Sequence, residues 1–366
     1  MLSKHEKTLV PIVHYSVTTT CRNLLEMKVL GYAASGVGQP LEPFTYTPPK
    51  LGERDVRVSI THCGMCHSDI HAIDNYYGIT TFPFVPGHEV VGRVSAIGTE
   101  VSDLKKGDRV GIGWQGRCCM QCEWCLQGEE QLCMDIVPSG TWIPYGGFST
   151  SISVDSRFVY PLPDAMRSEA VAVLMCAGIT VYSPLRSNAA KKAQKIGIIG
   201  VGGLGHLALQ FARALDYDVT AISSSPEKED QALAFGADHF IDSHDEASLQ
   251  EREFSFDMLL CTASGKINWE LLLSTLKKNG SFVLIGFPDV SFNSTDLVAH
   301  QLSITGSFLG NRATMREMLS FAQKHDIAPK VELMPMTEVN EAIRKVRENK
   351  ARYRIVLFND FTDTGV

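Results

Sequence analysis

Two hydrophobic rhythms divide this chain. Between about Met27 and Thr180, short β-branched runs alternate with glycine and proline: Val56-Arg57-Val58-Ser59-Ile60, Val90-Val91-Gly92-Arg93-Val94 and Arg109-Val110-Gly111-Ile112. Pro83, Pro86, Gly98 and Gly107 punctuate them. That pattern predicts an all-β, barrel-like region carrying long loops. Near residue 185 the rhythm changes. Lys195-Ile196-Gly197-Ile198-Ile199 has the character of a buried strand. Leu204, Leu207, Ala208, Phe211, Ala212 and Leu215 then follow the three-four spacing of one helical face. Further strands are predicted over 219–222, 239–241, 258–261, 282–285 and 304–308, with helices over 227–235 and 269–277. Such alternation implies a parallel sheet covered on both faces. Beyond 312, Met315, Met318, Leu319 and Ala322 mark an amphipathic helix, and Arg354-Ile355-Val356-Leu357-Phe358 a last strand. With the parallel sheet closing near 308, this tail is expected to return to the first region.

Composition narrows the class. The 366 residues leave room for two domains, and 44% hydrophobic with 20% charged residues is ordinary for a soluble globular protein. A formal net charge of −7 argues against a nucleic-acid partner held through phosphates. No stretch reaches the roughly 20 apolar residues of a membrane span, so no membrane partner is expected. Residues 1–26 hold Lys4, Lys7 and Arg22 and a Ser/Thr-rich middle broken by Pro11 and His14. That run is too interrupted for a signal peptide. A disordered extension is expected there, with a transit peptide as the alternative.

Gly200, Gly202 and Gly205 form G-x-G-x-x-G between a strand and a helix. The first glycine permits the turn, the second lets backbone approach a pyrophosphate, and the third lets helix and strand pack closely. An NAD site carries an acid about 20 residues further on. This chain has Ser223-Ser224-Ser225-Pro226-Glu227-Lys228 instead. Without the carboxylate, three hydroxyls and a lysine suit a 2′-phosphate, which favours NADP. The bland alternative is a solvated Ser-Pro helix cap.

The chain has ten cysteines. Cys119, Cys122, Cys125 and Cys133 stand as C-x2-C-x2-C-x7-C, spacing that fits a closed, tetrahedral zinc site. An iron–sulfur run would want a shorter last gap and a following proline, and Met134 follows here. Cys118 is a spare thiol. Cys66, His88 and Cys176 lie far apart, each in its own motif: Gly64-Met65-Cys66-His67-Ser68-Asp69, Gly87-His88-Glu89 and Leu174-Met175-Cys176-Ala177-Gly178. Three dispersed ligands fit an open, catalytic metal site. Asp69 is placed to accept the second ring N–H of His88, and Glu89 to lie behind the metal. Ser68 and His71 are candidates to carry a proton. Cys21, Cys63 and Cys261 are expected to be non-ligands. Metal ligation in a reducing, cytoplasmic setting suits these spacings better than a disulfide framework.

From about Met27 to Phe361, these motifs together resemble the zinc-dependent medium-chain alcohol dehydrogenases. The narrower likeness is to cinnamyl-alcohol dehydrogenases and the broad-range NADPH-dependent aldehyde reductases. The resemblance implies a two-domain fold: a GroES-like β-barrel catalytic domain over 27–182 and 313–366, with its structural-zinc lobe, around an α/β Rossmann domain over 183–312. It implies a catalytic zinc on Cys66, His88 and Cys176, and a structural zinc on the four-cysteine lobe. Ser68 and His71 become the proton relay. NADP(H) is implied at Thr180, at Gly200, Gly202, Gly203, Leu204 and Gly205, and at Ser223, Ser224, Ser225 and Lys228. Phe287, Ser307 and Phe308 would line the nicotinamide end. The activity implied is reversible hydride transfer between NADP(H) and aliphatic or aromatic primary alcohols and aldehydes. Tyr77, Trp114 and Phe308 are the large apolar candidates for the substrate pocket. Relatives pair sheet edges, here over 302–308, so a homodimer is expected. The rivals are a zinc-free quinone or enoyl reductase and a non-catalytic zinc module.

Overall fold

In the computed structural model, residues 27–140, 145–188 and 194–361 are described. The expected extension over 1–26, with Cys21, lies outside the described residues.

The six strands of the second region are parallel, in the order His239–Asp242, Asp218–Ser223, Lys195–Ile199, Phe256–Cys261, Leu276–Leu284, Ser303–Gly306. Numbered by sequence this is 3-2-1-4-5-6, the order of a dinucleotide-binding sheet. Ile196, Ile198, Val219, Ala221, Leu259 and Leu260 are fully buried, as strands covered on both faces require. The order reverses between Lys195–Ile199 and Phe256–Cys261, and a ligand crevice opens beyond the strand ends at such a point. Helix Gly205–Ala214 starts there and buries Leu207, Ala208, Phe211 and Ala212.

The first region is built on a seven-stranded sheet ordered Val331–Pro335, Arg354–Phe358, Asp55–Met65, Glu89–Ile97, Arg109–Ile112, Val159–Pro161, with Ser151–Asp155 also pairing to Asp55–Met65. The tail strand Arg354–Phe358 runs antiparallel to Asp55–Met65, setting Ile355 opposite Met65.

Five expectations need correction. The first region is not all strand. Ser168–Val173, a π-turn over Leu174–Gly178 and Ile179–Asn188 form one continuous helical run. Ser168–Ser187 is long and apolar enough to cross a membrane by composition, against the expectation that no stretch is, but 78% of that window is buried inside the protein. It shares one core with Ile196, Leu207 and Phe211 of the parallel sheet and with Val91, Tyr160 and Val356 of the other. Apolar on every side over 170–179, it offers no amphipathic period there to detect. The helix expected over 269–277 stops at Ser274, because Leu276 is drawn into sheet pairing with Phe256. The helix expected over 227–235 begins with one 3-10 turn, Pro226–Lys228, before Glu229–Ala234. The last parallel strand ends at Gly306, not 308, and Leu309 turns the chain at φ 52°.

The two regions also meet at His206, buried in the second residue of helix Gly205–Ala214. Its Nδ1 lies 3.0 Å from the Gly202 carbonyl, its Nε2 accepts from the Lys330 N–H at 3.3 Å, and its ring stacks on Tyr353 at 5.0 Å. Burial pushes its pKa down to about 3. The unfolded chain binds a proton on this ring below about pH 6.5 while the folded chain does not, so this site weakens folding as pH falls from about 6.5 toward 3. The slope for one such group is about 1.4 kcal/mol per pH unit. His206→Gln should therefore be less stable than the parent at pH 8 and show a flatter stability profile between pH 6.5 and 4, measured by urea unfolding at each pH.

Candidate metal centre and dinucleotide crevice

The strand Asp55–Met65 delivers Cys66 to the first turn of helix His67–Ile73. Asp69 closes that turn, its Oδ2 accepting from the Cys66 N–H at 2.8 Å. Its Oδ1 accepts from the Gly87 N–H at 3.0 Å and lies 2.9 Å from His88 Nδ1. Asp69 and His88 are fully buried. A carboxylate beside Nδ1 accepts a hydrogen bond from its N–H, which holds the ring proton there and leaves the Nε2 lone pair free to ligate. That Nε2 is buried and has no hydrogen-bond partner. Cys176 comes from the π-turn of the core helix, a widening often found at functional sites. Ligand atoms of Cys66, His88, Glu89 and Cys176 all lie within 4.8 Å of one another.

The electrostatics of this cluster suit a cation. A hydrogen bond from Cys176 holds the Cys66 thiol well below its usual pKa, with His88 adding to the effect against burial. The Cys176 thiol is pushed up as the donor in that pair and by burial. Burial opposes charge on His88, yet Asp69 and Cys66 raise its pKa well above the imidazole range. Surroundings that attract positive charge to the ring would favour a cation at Nε2 too. Glu89 is pushed up to about 7 by burial, with Arg354 opposing. Arg354 pairs with Glu89 Oε1 and donates to the Met65 carbonyl at 2.9 Å, while Glu89 Oε2 has no partner. Two thiols, an imidazole and a spare carboxylate oxygen are a donor set for zinc with room for a further ligand.

Ser68 Oγ stands 3.6 Å from Cys66 Sγ. His71 is half-buried one turn further on, its Nδ1 3.5 Å from the Tyr77 hydroxyl. Burial, then His67, lower its pKa. Its ring meets Tyr76 at 4.8 Å and, from the other half of the molecule, Phe287 at 6.4 Å. Trp114 is buried and meets the exposed Phe308 edge-to-face at 5.1 Å. Thr180 uses its hydroxyl on the Cys176 carbonyl at 2.7 Å, one helical turn away. Ser307 is tied through its N–H to the Leu284 carbonyl at 2.9 Å.

The second cluster is local. Cys119, Cys122, Cys125 and Cys133 bring their sulfurs within 4.8 Å of one another around the short helix Glu123–Leu126. Backbone N–H groups of Gln121 and Cys122 lower the Cys119 thiol to about 7, which favours the thiolate that ligates metal. Cys118 also lies near, 3.5 Å from Cys125 Sγ. Buried Glu130 fastens the lobe to helix Arg312–Lys324 by an ion pair with Arg312 at 2.7 Å.

In the crevice, Gly200 turns at φ 90°, and a Cβ on Gly205 would strike the Gly200 carbonyl. A Gly202 Cβ would meet nothing within 4 Å and would fill the open cradle instead. Gly203 faces Tyr353 and Arg354, and Leu204 precedes the helix as its N-cap. Ser223 is buried, its Oγ accepting from the Ser225 N–H at 3.3 Å, while Ser224 is exposed. Lys228 Nζ donates to the Val201 carbonyl at 3.0 Å, placing the ammonium beside the glycine turn. A turn of free amides with serines and a lysine at its flank fits a phosphorylated dinucleotide. A surface hollow of about 600 Å³ between Arg93, Lys105 and Asp164 is lined by none of these residues. Sequence reasoning passed over Arg354 and His206. Their signal was weak: one arginine opening an apolar strand, and one histidine on an apolar helix face.

Known proteins match along most of the chain. The family model for the alcohol dehydrogenase GroES-like domain matches residues 52–164, and that for zinc-binding dehydrogenases matches 203–324. The aldehyde reductase AdhA of Synechocystis sp. is 40% identical over 90% of this chain and 98% of its own length. NADP-dependent alcohol dehydrogenase C 1 of Mycolicibacterium smegmatis is 37% identical over 90% and 97%. Among solved structures, a cinnamyl alcohol dehydrogenase from Sorghum bicolor superposes with a TM-score of 0.86 at 36% identity, covering 91% of this chain and 98% of that one.

Asp69→Asn should weaken metal binding at the His88 cluster by about 10–100-fold and spare the four-cysteine lobe. Metal analysis after graded chelation checks this: the parent should release the two ions together or in a fixed order, the variant its His88-site ion first.

Proposed function

The chain belongs to the zinc-binding alcohol dehydrogenase family, and from that premise we propose that it is an NADP-dependent alcohol dehydrogenase that reduces aldehydes reversibly. The observation that carries this reading is the convergence of Cys66, His88 and Cys176, from three separate elements, on one buried point. It is supported by the glycine turn that Arg354 joins to the same point.

When bound, zinc would polarise the substrate carbonyl as a Lewis acid, and the nicotinamide of NADPH would supply the hydride. Cys66, His88 and Cys176 are the residues that would hold the metal. Asp69 orients His88, and Glu89, paired on one oxygen only, keeps its other oxygen at the rear of the cluster. Ser68 is placed to hand a proton to the alkoxide oxygen of the product, and His71 lies one turn along the same helix face toward solvent. Because the His71 pKa is lowered, the ring is neutral at pH 7 and free to pass a proton on. Trp114, Phe308 and Tyr77 would exclude water and offer flat apolar surface to an aliphatic or aromatic aldehyde. Phe287 would cover the nicotinamide end, and Thr180, bonded to the Cys176 carbonyl, would meet the coenzyme from the core helix.

Cys119, Cys122, Cys125 and Cys133 would hold a second, structural zinc. The proposal divides the chain into a catalytic domain over 27–182 and 313–366 and a Rossmann domain over 183–312. It extends to a cytoplasmic homodimer joined at Ser303–Gly306, one of the two edge strands of the parallel sheet.

Initial rates of benzaldehyde reduction with NADPH and with NADH at equal concentration test the reading. A clear rate favouring NADPH is expected. Preference for NADH would remove the phosphate-pocket argument, and no rate from zinc-loaded protein would remove the substrate class. Cys66→Ala should abolish turnover while keeping dinucleotide binding. Ser68→Ala should lower turnover by about 10²–10⁴-fold with zinc content retained; unchanged rates across pH would take Ser68 out of the relay.

A further inference from the structure

One cation near the crevice has no role in the reading above. Arg352 precedes the tail strand Arg354–Phe358 and belongs to the half of the molecule that holds the metal cluster. Its successors are fastened to the dinucleotide half. The Tyr353 hydroxyl donates to Gln231 Oε1 at 2.7 Å, and its ring meets His206 at 5.0 Å and Phe235 at 5.2 Å. A Cβ on Gly203 would stand 3.0 Å from Arg354 Cδ and 3.5 Å from the Tyr353 carbonyl. Gln231 lies three residues beyond Lys228, so these contacts carry Arg352 to the rim of the serine-lysine turn.

The charges there are unbalanced. The Arg352 side chain is exposed, with Nη1 on the Asn349 and Ala351 carbonyls at 3.1 and 3.3 Å. Glu332, the carboxylate that feels Arg352, is engaged by Lys345 and takes the Arg352 backbone N–H at 2.8 Å. Burial, then repulsion from Arg352, lower the Lys228 pKa, and Glu227 only partly opposes them. Arg352 repels the half-buried Lys228 ammonium, and an anion between the two would relieve that repulsion. The serines that flank them offer hydroxyl donors to the same anion.

We propose that Arg352 and Lys228 form a two-cation clamp on the 2′-phosphate of the dinucleotide, gripping it from both halves of the molecule. The clamp rests on the NADP reading above. The guanidinium fork matches phosphate oxygens in a way that an ammonium does not. The phosphate therefore both selects the coenzyme and adds one more tie between the tail segment 352–354 and the dinucleotide half.

Calorimetric titration of the zinc-loaded protein with 2′,5′-ADP and with 5′-AMP tests it, since only the first carries the 2′-phosphate. Arg352→Gln should weaken 2′,5′-ADP about tenfold, with Arg352→Lys recovering part of the loss and 5′-AMP changing less than about twofold. The difference should shrink as salt rises. If Arg352→Gln binds 2′,5′-ADP as the parent does while Lys228→Gln is weakened, the clamp is wrong and the phosphate pocket stands. If the parent binds both probes equally, the pocket reading falls and the clamp with it. Equal loss of both probes in both Arg352 variants also overturns the clamp, because it marks damage to the adenosine site.

Discussion

The buried guanidinium of Arg354 is the constraint on which the arrangement turns. It enters a space lined by Cys66, Cys176 and Glu89, and stripping water from such a charge costs several kcal/mol. Charged and hydrogen-bonding partners offset that cost, and here Glu89 and the Met65 carbonyl engage Nη2 while the buried Nε has no partner. Removing either side would leave an uncompensated buried charge, which typically destabilises by about 3–5 kcal/mol. The pair therefore fixes where the tail strand lies against Asp55–Met65. It also fixes where Glu89 lies behind the metal ligands.

That placement has consequences in both directions. Toward the metal, it presents Glu89 with one oxygen paired and one spare, beside thiols and an imidazole that gather positive charge. Toward the coenzyme, the same residue packs against Gly203, and its neighbour Tyr353 against His206. Three consecutive residues, Arg352 to Arg354, thus touch or border both halves of the site. The continuous core helix over 168–188 performs the complementary task from the other side. It gives Cys176 to the cluster and buries Leu185 and Tyr182 with the apolar face of Gly205–Ala214.

Local chemistry was legible along the chain. The four-cysteine lobe closes within fifteen residues, so spacing alone limits which thiols can meet, and their sulfurs do gather. The glycine motif needs only a strand before it and a helix after it, and both are present. The strands around Val56, Val90 and Arg109 and the alternation after 195 followed from period and turn residues. The core helix was invisible for the opposite reason: buried on every side over 170–179, it shows neither the alternation of a strand nor the stripe of a helix. Phe308 and Leu276 departed from their expected elements because sheet pairing and a left-handed turn outweighed local preference.

By itself, the sequence determined what each short segment can do: which cysteines can share an ion, where a phosphate can sit, and which runs prefer strand or helix. These are properties of neighbours a few residues apart, where chain geometry leaves little choice. Only the tertiary structure decided that Cys66, His88 and Cys176, separated by up to about a hundred residues, share one point, and that Arg354 lies behind them. Such meetings depend on the register of Asp55–Met65 against Glu89–Ile97 and Arg354–Phe358, and on the core helix packing against both sheets. A one-residue slip in any of those ladders would turn the side chains to the opposite face, so the site is a property of the assembled sheets rather than of any one segment.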